Sequence, residues 1–234
     1  MPAPSLVIAV DGPSGSGKSS VSREVARRLG LEYLDTGAMY RAACWSCLEA
    51  GLDLADQPAV ADHVRGMDLV MGTDPEDPWV TVAGRDVSRD IRETRISTAV
   101  SAVATNLGVR HELRDRQRAL IDAARRGPRS GCVAEGRDIT TVVAPDADVR
   151  FLLTASEEAR LARRARDVHG TADESAIEAT RDQVLRRDAD DATVSTFHVA
   201  ADGVVLIDSS VLDFAQTVEA VLTAVEHAAA PVRS

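Results

Sequence analysis

Residues 12–19 read Gly12-Pro13-Ser14-Gly15-Ser16-Gly17-Lys18-Ser19 and match the pattern Gly-x-x-x-x-Gly-Lys-Ser/Thr at every fixed position. No other stretch of the chain restricts its fold so tightly, because the pattern works only between a strand and the start of a helix. The flanks agree with that requirement. Leu6-Val7-Ile8-Ala9-Val10 is an apolar, strand-like run, and Val21, Val25 and Leu29 recur at helical spacing before Gly30. In such a loop the glycines let backbone N–H groups turn inward around phosphate oxygens, and the helix N-terminus adds its partial positive charge. Lys18 is expected to reach the outer phosphates of a nucleoside triphosphate. The hydroxyl of Ser19 is expected to ligate Mg²⁺, and the binding run extends to Ser20.

Composition narrows the possible partners. Of 27 basic residues only Lys18 is a lysine, in a chain of formal net charge −10. That balance argues against a general nucleic-acid or membrane-surface binder, both of which need a basic face. Anionic ligands must therefore be caught by local arginines. The guanine-reading motif Asn-Lys-x-Asp requires a second lysine and is absent, as is the Leu-Ser-Gly-Gly-Gln signature of transporter ATPases. The run at 6–10 is too short for a signal peptide or a membrane span, so a cytoplasmic location is expected. Three cysteines, Cys44, Cys47 and Cys132, suggest no disulfide framework, and Cys44-Trp45-Ser46-Cys47 reads as buried helix despite its redox-motif spacing. His63, His111, His169, His198 and His227 show no metal-ligand spacing, and no structural metal is expected.

Strand-like runs at 6–10, 31–34, 131–134, 149–154 and 204–208 alternate with amphipathic stretches near 18–29, 107–126, 156–167 and 213–227. This predicts an α/β fold with a parallel five-stranded sheet flanked by helices. Between 60 and 90 the pattern changes to short strands at Met67–Met71 and Trp79–Ala83, with a turn over Gly84-Arg85-Asp86.

The second strand-like run leads into Asp35-Thr36-Gly37-Ala38-Met39-Tyr40-Arg41. Together with the phosphate loop, and with Val87-Ser88, Ile91-Arg92, Ser101, Val103-Ala104, Val109-Arg110, Gln117-Arg118, Gly136-Arg137-Asp138, Thr141-Val142-Val143, Pro145-Asp146-Ala147 and Arg187-Asp188 in order, the sequence closely resembles bacterial cytidylate kinases over about 5–210. The resemblance implies a single kinase domain over 1–234: a core at about 5–40, 105–155 and 200–230, an enlarged monophosphate-binding insert at about 41–104 and a short lid at about 156–198. It implies transfer of the γ-phosphoryl group of ATP to CMP or dCMP, with Mg²⁺, by a monomer. Phosphate clamps would be Arg41, Arg137 and Arg187, since planar guanidinium forks suit a dianion. Asp138 and Arg110, with Ser101 as a further polar contact, would read cytosine, whose amino donor and adjacent acceptors complement a carboxylate plus an arginine, and Thr36 would also contact the acceptor. Asp191 would lie near the ribose. Arg160, Arg163, Arg164 and Arg166 fall on the exposed side of a predicted helix, and by the resemblance Arg163 and Arg164 would belong to a lid closing over ATP. A helix-like stretch over 174–187, with Ile177, Val184 and Leu185 facing inward, would carry Arg187 on its last turn.

The sequence departs from the family after Asp191. It reads Ala192-Thr193-Val194-Ser195-Thr196-Phe197-His198, where relatives usually continue with an arginine and then Ser-Pro-Leu. Another small phosphate-loop kinase with a different acceptor, or a nucleotide-binding module that has lost turnover, are the competing readings. No general base is evident or required. Glu135 is open to two readings, holding a metal-bound water or supporting the fold.

Overall fold

The computed structural model describes residues 5–229. Its central sheet has the order β2-β6-β1-β7-β8, built from β1 (Leu6–Asp11), β2 (Glu32–Asp35), β6 (Gly131–Gly136), β7 (Val149–Thr154) and β8 (Val205–Asp208). Every pairing is parallel, with Val7 opposite Cys132, Ile8 opposite Val149, Tyr33 opposite Val133 and Leu152 opposite Leu206. This is the five-stranded parallel sheet that the pattern of apolar runs predicts. Its inner strands are mostly apolar because both faces are covered. Alternation along β1 sends Val7 and Ala9 into a cluster with Leu34, Met39, Leu113 and Ile139, and sends Ile8 and Val10 into another with Val21, Val25, Phe151 and Val218. The second cluster lies under α1 (Lys18–Leu29) and α8 (Phe214–Ala229). The first lies under α2 (Thr36–Glu49) and α5 (Leu107–Arg126).

Between α2 and α5 the chain adds α3 (Gln57–Gly66), a meander of β3 (Leu69–Met71), β4 (Val80–Val82) and β5 (Arg85–Asp86), a single turn at Asp90–Arg92, and α4 (Thr94–Ala104). The turn expected over Gly84-Arg85-Asp86 lies one residue earlier. Ala83 and Gly84 both have positive φ, 49° and 75°, the conformation of a tight two-residue hairpin turn. Arg85 and Asp86 are thereby freed to pair with Val82 and Thr81 as a third strand.

Two helices follow β7. The first, α6 (Glu157–His169), is capped by Ser156, whose hydroxyl accepts from Ala159 N–H, and ends at a left-handed Gly170. The second, α7 (Glu174–Ala192), runs beyond the 174–187 stretch that the sequence suggests. Arg187 therefore sits more than a turn before its end rather than on its last turn. Val184 is buried as expected, whereas Ile177 and Leu185 are half-buried and Ala176 and Thr180 complete the inner face. Cys44, Cys47 and Cys132 are free and buried, and burial pushes the first two thiols up to about 12 and about 11. They are packing residues. Among the described residues no helix is long and apolar enough to cross a membrane.

Candidate active site

All five parallel strands point their C-terminal ends the same way, and β1 hands the chain into the phosphate loop there. Gly17 adopts a left-handed conformation at the N-cap of α1, with φ 87°, which lets the loop close over the helix end. Gly15 also has positive φ, 76°. A Cβ there would lie 2.5 Å from the carbonyl oxygen of Arg160, so α6 seats directly on the loop crest.

A chamber of about 180 Å³ opens beside the loop. Ser14, Gly15, Gly17, Lys18, Ser19 and Ser20 line its phosphate-loop end, and Arg41, Arg137, Arg164 and Arg187 line its sides. Thr36, Arg110, Asp138 and Asp191 border it as well. The sequence-derived residues thus converge although they come from the phosphate loop, α1, α2, α5, the turn after β6, α6 and α7. Gly12, Pro13, Ser16, Ser101 and Arg163 do not line this chamber. Gly12, Pro13 and Ser16 are buried within the loop. Ser101 is half-buried on α4, whose Val100 and Ala104 form the wall instead. Arg163 borders a second cavity of about 510 Å³ with Gly15, Gly17, Leu212 and Phe214. Its guanidinium donates to Ser209 Oγ at 2.9 Å, to the Ser209 carbonyl at 2.6 Å and to the Ser16 carbonyl at 3.2 Å. It ties the loop to the end of β8.

The buried charges are arranged around the phosphate loop. Ser19 Oγ donates to Glu135 Oε1 at 2.6 Å, Tyr33 Oη donates to the same oxygen at 3.3 Å, and Lys18 Nζ lies 3.9 Å from Glu135 Oε2. Burial pushes the Glu135 carboxyl up, Asp35 adds to the rise, and Lys18 and Ser19 oppose it. Burial likewise lowers Lys18, with Glu135 acting against that and Arg137 and Arg187 with it. Asp35 caps α2 through Ala38 N–H at 2.8 Å and holds Arg41 at 2.9 Å. Arg187 is pushed down to about 10, first by burial and then by Arg137 and Arg41, so three guanidinium groups crowd one space. The Nε atoms of Arg41 and Arg187 are buried without hydrogen-bond partners among the described residues. Such a group of cations, two with unspent donors, is arranged to receive a multiply charged anion.

At the other end Arg110 donates to Asp138 Oδ2 at 2.5 Å and to the Ala104 carbonyl at 3.2 Å. Tyr40 lies nearby, its hydroxyl pushed up to about 12 by burial and then by Asp138, so it stays a neutral donor. This end pairs a carboxylate and a guanidinium on a partly apolar wall, the composition expected of a nucleobase site.

Several groups that organise the site escape a reading of the sequence. Asp11 is buried and accepts from Ile139 N–H at 2.7 Å, Thr140 N–H at 2.9 Å and Thr140 Oγ1 at 2.6 Å, fixing the turn that carries Arg137 and Asp138. Asp188 and Arg160 form a buried pair, and Phe197 stacks under Arg137 with the guanidinium carbon 4.3 Å from the ring centroid. The run containing Arg160, Arg163, Arg164 and Arg166 reads as an exposed helix face. Instead Arg160 is buried, Arg163 and Arg164 are half-buried, and only Arg166 is exposed. One available signal was the spacing of Arg160, Arg163 and Arg164, which puts the first beside the others on one helix side.

Fold and site together define the class: a phosphate-loop kinase with a loop for a triphosphate tail and an arginine-lined chamber beside it. The chain belongs to the cytidylate kinase family, whose model, described as Cytidylate kinase, matches residues 8–227. It is similar to proteins named Cytidylate kinase from Streptomyces avermitilis, with 45% identity over 96% of this chain and 94% of the relative, and from Rhodococcus opacus, with 50% identity over 89% of each. A third, from Cutibacterium acnes, is 47% identical over 93% of this chain and 94% of the relative.

Proposed function

We propose that the protein transfers the γ-phosphoryl group of ATP to CMP or dCMP, giving ADP and the pyrimidine diphosphate. The observation that carries this reading is the single chamber joining the phosphate loop to both an arginine cluster and the Arg110–Asp138 pair. In this reading the triphosphate lies along residues 12–20 with Lys18 on its outer phosphates. Arg41, Arg137 and Arg187 hold the acceptor phosphate, and Asp138, Arg110, Thr36 and Ser101 serve the cytosine end. Asp191 serves the ribose, and Arg163 and Arg164 act from the lid over 156–198, while 41–104 forms the acceptor insert.

An oxygen of the CMP phosphate attacks the γ phosphorus, the bond to the β–γ bridging oxygen breaks, and the electron pair leaves with ADP. No proton need be removed, because the attacking phosphate is already ionised near neutral pH. Catalysis then consists of holding two like-charged groups in line and offsetting their repulsion, which clustered guanidinium groups and Lys18 do at fixed positions.

The donor set also fits Mg²⁺. Ser19 Oγ sits 2.6 Å from the carboxylate of Glu135, which is only 2% exposed. Among the described residues there is no group of three or more His, Cys, Asp or Glu that could hold a metal. A Mg²⁺ ion arriving with nucleotide phosphates keeps most of its waters and needs only one or two protein oxygens. Ser19 would hold it, with Glu135 ordering a bound water, and it would supply charge neutralisation at the β and γ oxygens. We read the protein as a cytoplasmic monomer.

Coupled ADP release with Mg²⁺-ATP against CMP, dCMP, UMP, AMP and no acceptor tests the proposal. Turnover confined to CMP and dCMP is expected. Acceptor-independent ADP release makes the protein an ATPase, and binding of ATP and CMP without product makes it a binding module.

A further inference from the structure

The carboxylate of Asp188 meets three parts of the molecule at once: the phosphate loop, the turn after β6 and α6. It lies on α7 and is 5% exposed. Its Oδ1 accepts from Ser14 N–H at 3.1 Å and pairs with Arg137 Nη2 at 2.8 Å, and its Oδ2 accepts from Arg160 Nη1. Arg160 Nη1 also donates to the Ser14 carbonyl at 2.9 Å. Ser14, at the crest of the phosphate loop, is therefore held at its N–H by one helix and at its carbonyl by the other. The close approach of the Arg160 carbonyl to Gly15 places α6 against the same crest.

Arg137 is held as firmly on its own side. Besides Asp188 it meets Asp191 Oδ2 at 3.0 Å and the face of Phe197, and its Nη1 lies 3.4 Å from the Gly12 carbonyl. Burial alone would raise the Asp188 carboxyl. Arg137, Ser14 N–H and Arg160 outweigh it and keep the carboxyl below its ordinary range, so the group is a fixed anion near neutral pH.

We propose that Asp188 is a positioning residue that couples the two substrate sites: by bonding Ser14 and Arg137 with one oxygen, it makes the conformation of the phosphate loop and the aim of the acceptor clamp depend on each other. Arg160 is its counter-ion and the second half of the coupling. A bound triphosphate orders the loop, which through Ser14 and Asp188 sets Arg137 in place before the acceptor phosphate arrives. By reciprocity an acceptor held by Arg137 tightens the loop around the triphosphate. The inference rests on reading the chamber as a joint donor and acceptor site.

The test is a thermodynamic cycle on the full chain. Binding of CMP is titrated calorimetrically with and without saturating Mg²⁺ and a non-hydrolysable ATP analogue, in the wild type, in Asp188→Asn and in Arg160→Gln. The wild type should bind CMP several-fold more tightly with the analogue present. In Asp188→Asn that ratio should fall to within about twofold of unity, with kcat reduced more than either substrate's affinity. A destabilised control, Val25→Ala in the opposite core cluster, should keep the wild-type ratio, because loss of stability alone does not remove coupling. A folded Asp188→Asn that retains the full ratio overturns the proposal. If that variant does not fold, Arg160→Gln decides, and an unchanged ratio there overturns it equally. A wild type that binds no CMP with or without the analogue instead defeats the donor and acceptor reading on which the inference stands.

Discussion

Replacing Asp138 by Asn is the sharpest test of how the chamber chooses its base. The side chain keeps its shape and loses its charge. Asp138 is 7% exposed and receives Arg110 Nη2 at 2.5 Å, so the substitution weakens a charge-assisted bond in a site largely screened from water. Such bonds contribute about 1.5–3 kcal/mol. At about 1.4 kcal/mol per factor of ten, kcat/KM for CMP should fall roughly 10- to 150-fold. UMP should lose far less, because uracil offers a donor at N3 and an acceptor at C4, and an amide can serve either. The ratio of CMP to UMP turnover should therefore shrink by about tenfold or more.

Stability provides the control. Burial raises the Asp138 carboxyl, with Arg110 opposing the rise and Asp191 adding to it, so a neutral amide there relieves a desolvation cost while Arg110 loses its partner. These effects oppose each other, and Tm should move by only a few degrees. The assay is coupled ADP release over a range of CMP and UMP concentrations, with thermal melts of both proteins. Equal losses for CMP and UMP at matched Tm would refute the assignment of Asp138 as a base reader, since an indirect disturbance of the chamber does not distinguish the two bases.

Further perturbations separate the remaining roles. Arg187→Ala should slow transfer by about two orders of magnitude, as expected when a buried partner of a charged group is lost, whereas Arg166→Ala, exposed on α6, should change it only a few-fold; equal losses in steady-state assays would remove Arg187 from the chemistry. Lys18→Ala should abolish measurable turnover while the protein still melts cooperatively, and retention of more than about a tenth of kcat would contradict its place on the outer phosphates. Asp11 is raised from 3.8 to about 6, first by burial, so the native state binds its proton more tightly than the unfolded chain does. Its contribution to stability is full below pH 4 and declines as pH rises to about 6, by up to about 3 kcal/mol. Asp11→Asn should remove that component of the pH dependence in denaturant titrations, and an unchanged slope between pH 4 and 6 would show that Asp11 does not carry it.

What the sequence reveals and what it hides follow from the range over which each interaction acts. The phosphate loop and the five strands are legible because their signals are local: a fixed spacing of Gly, Lys and Ser, and runs of apolar residues with a period set by the backbone. Chamber residues such as Arg41, Arg110 and Asp138 are legible only through resemblance, because nothing in a single arginine marks it as facing a cavity. The charges that carry most of the structural coupling are hidden for a different reason. Asp11 meets residues 128 and 129 positions away, and Asp188 meets Ser14 174 positions away. Neither contact leaves a periodic trace, and Asp188 also sits among Arg186, Arg187, Asp190 and Asp191, which hide it by composition. Their burial also decides which neighbour matters. Asp188, Asp190 and Asp191 are close in sequence, yet Asp190 is half-buried and makes no ion pair among the described residues, while Asp188 and Asp191 lie on the inner side of α7 and share Arg137. The helix phase that separates them extends to Ala192 because the 192–198 segment turns away only there, bringing Phe197 under Arg137. The departure from the family pattern in that segment thus falls where Phe197 supports Arg137, the proposed clamp, from below, so substituting Phe197 by Leu should loosen Arg137 and raise the KM for CMP more than that for ATP. An equal rise in both constants would place Phe197 in the general core rather than under the clamp.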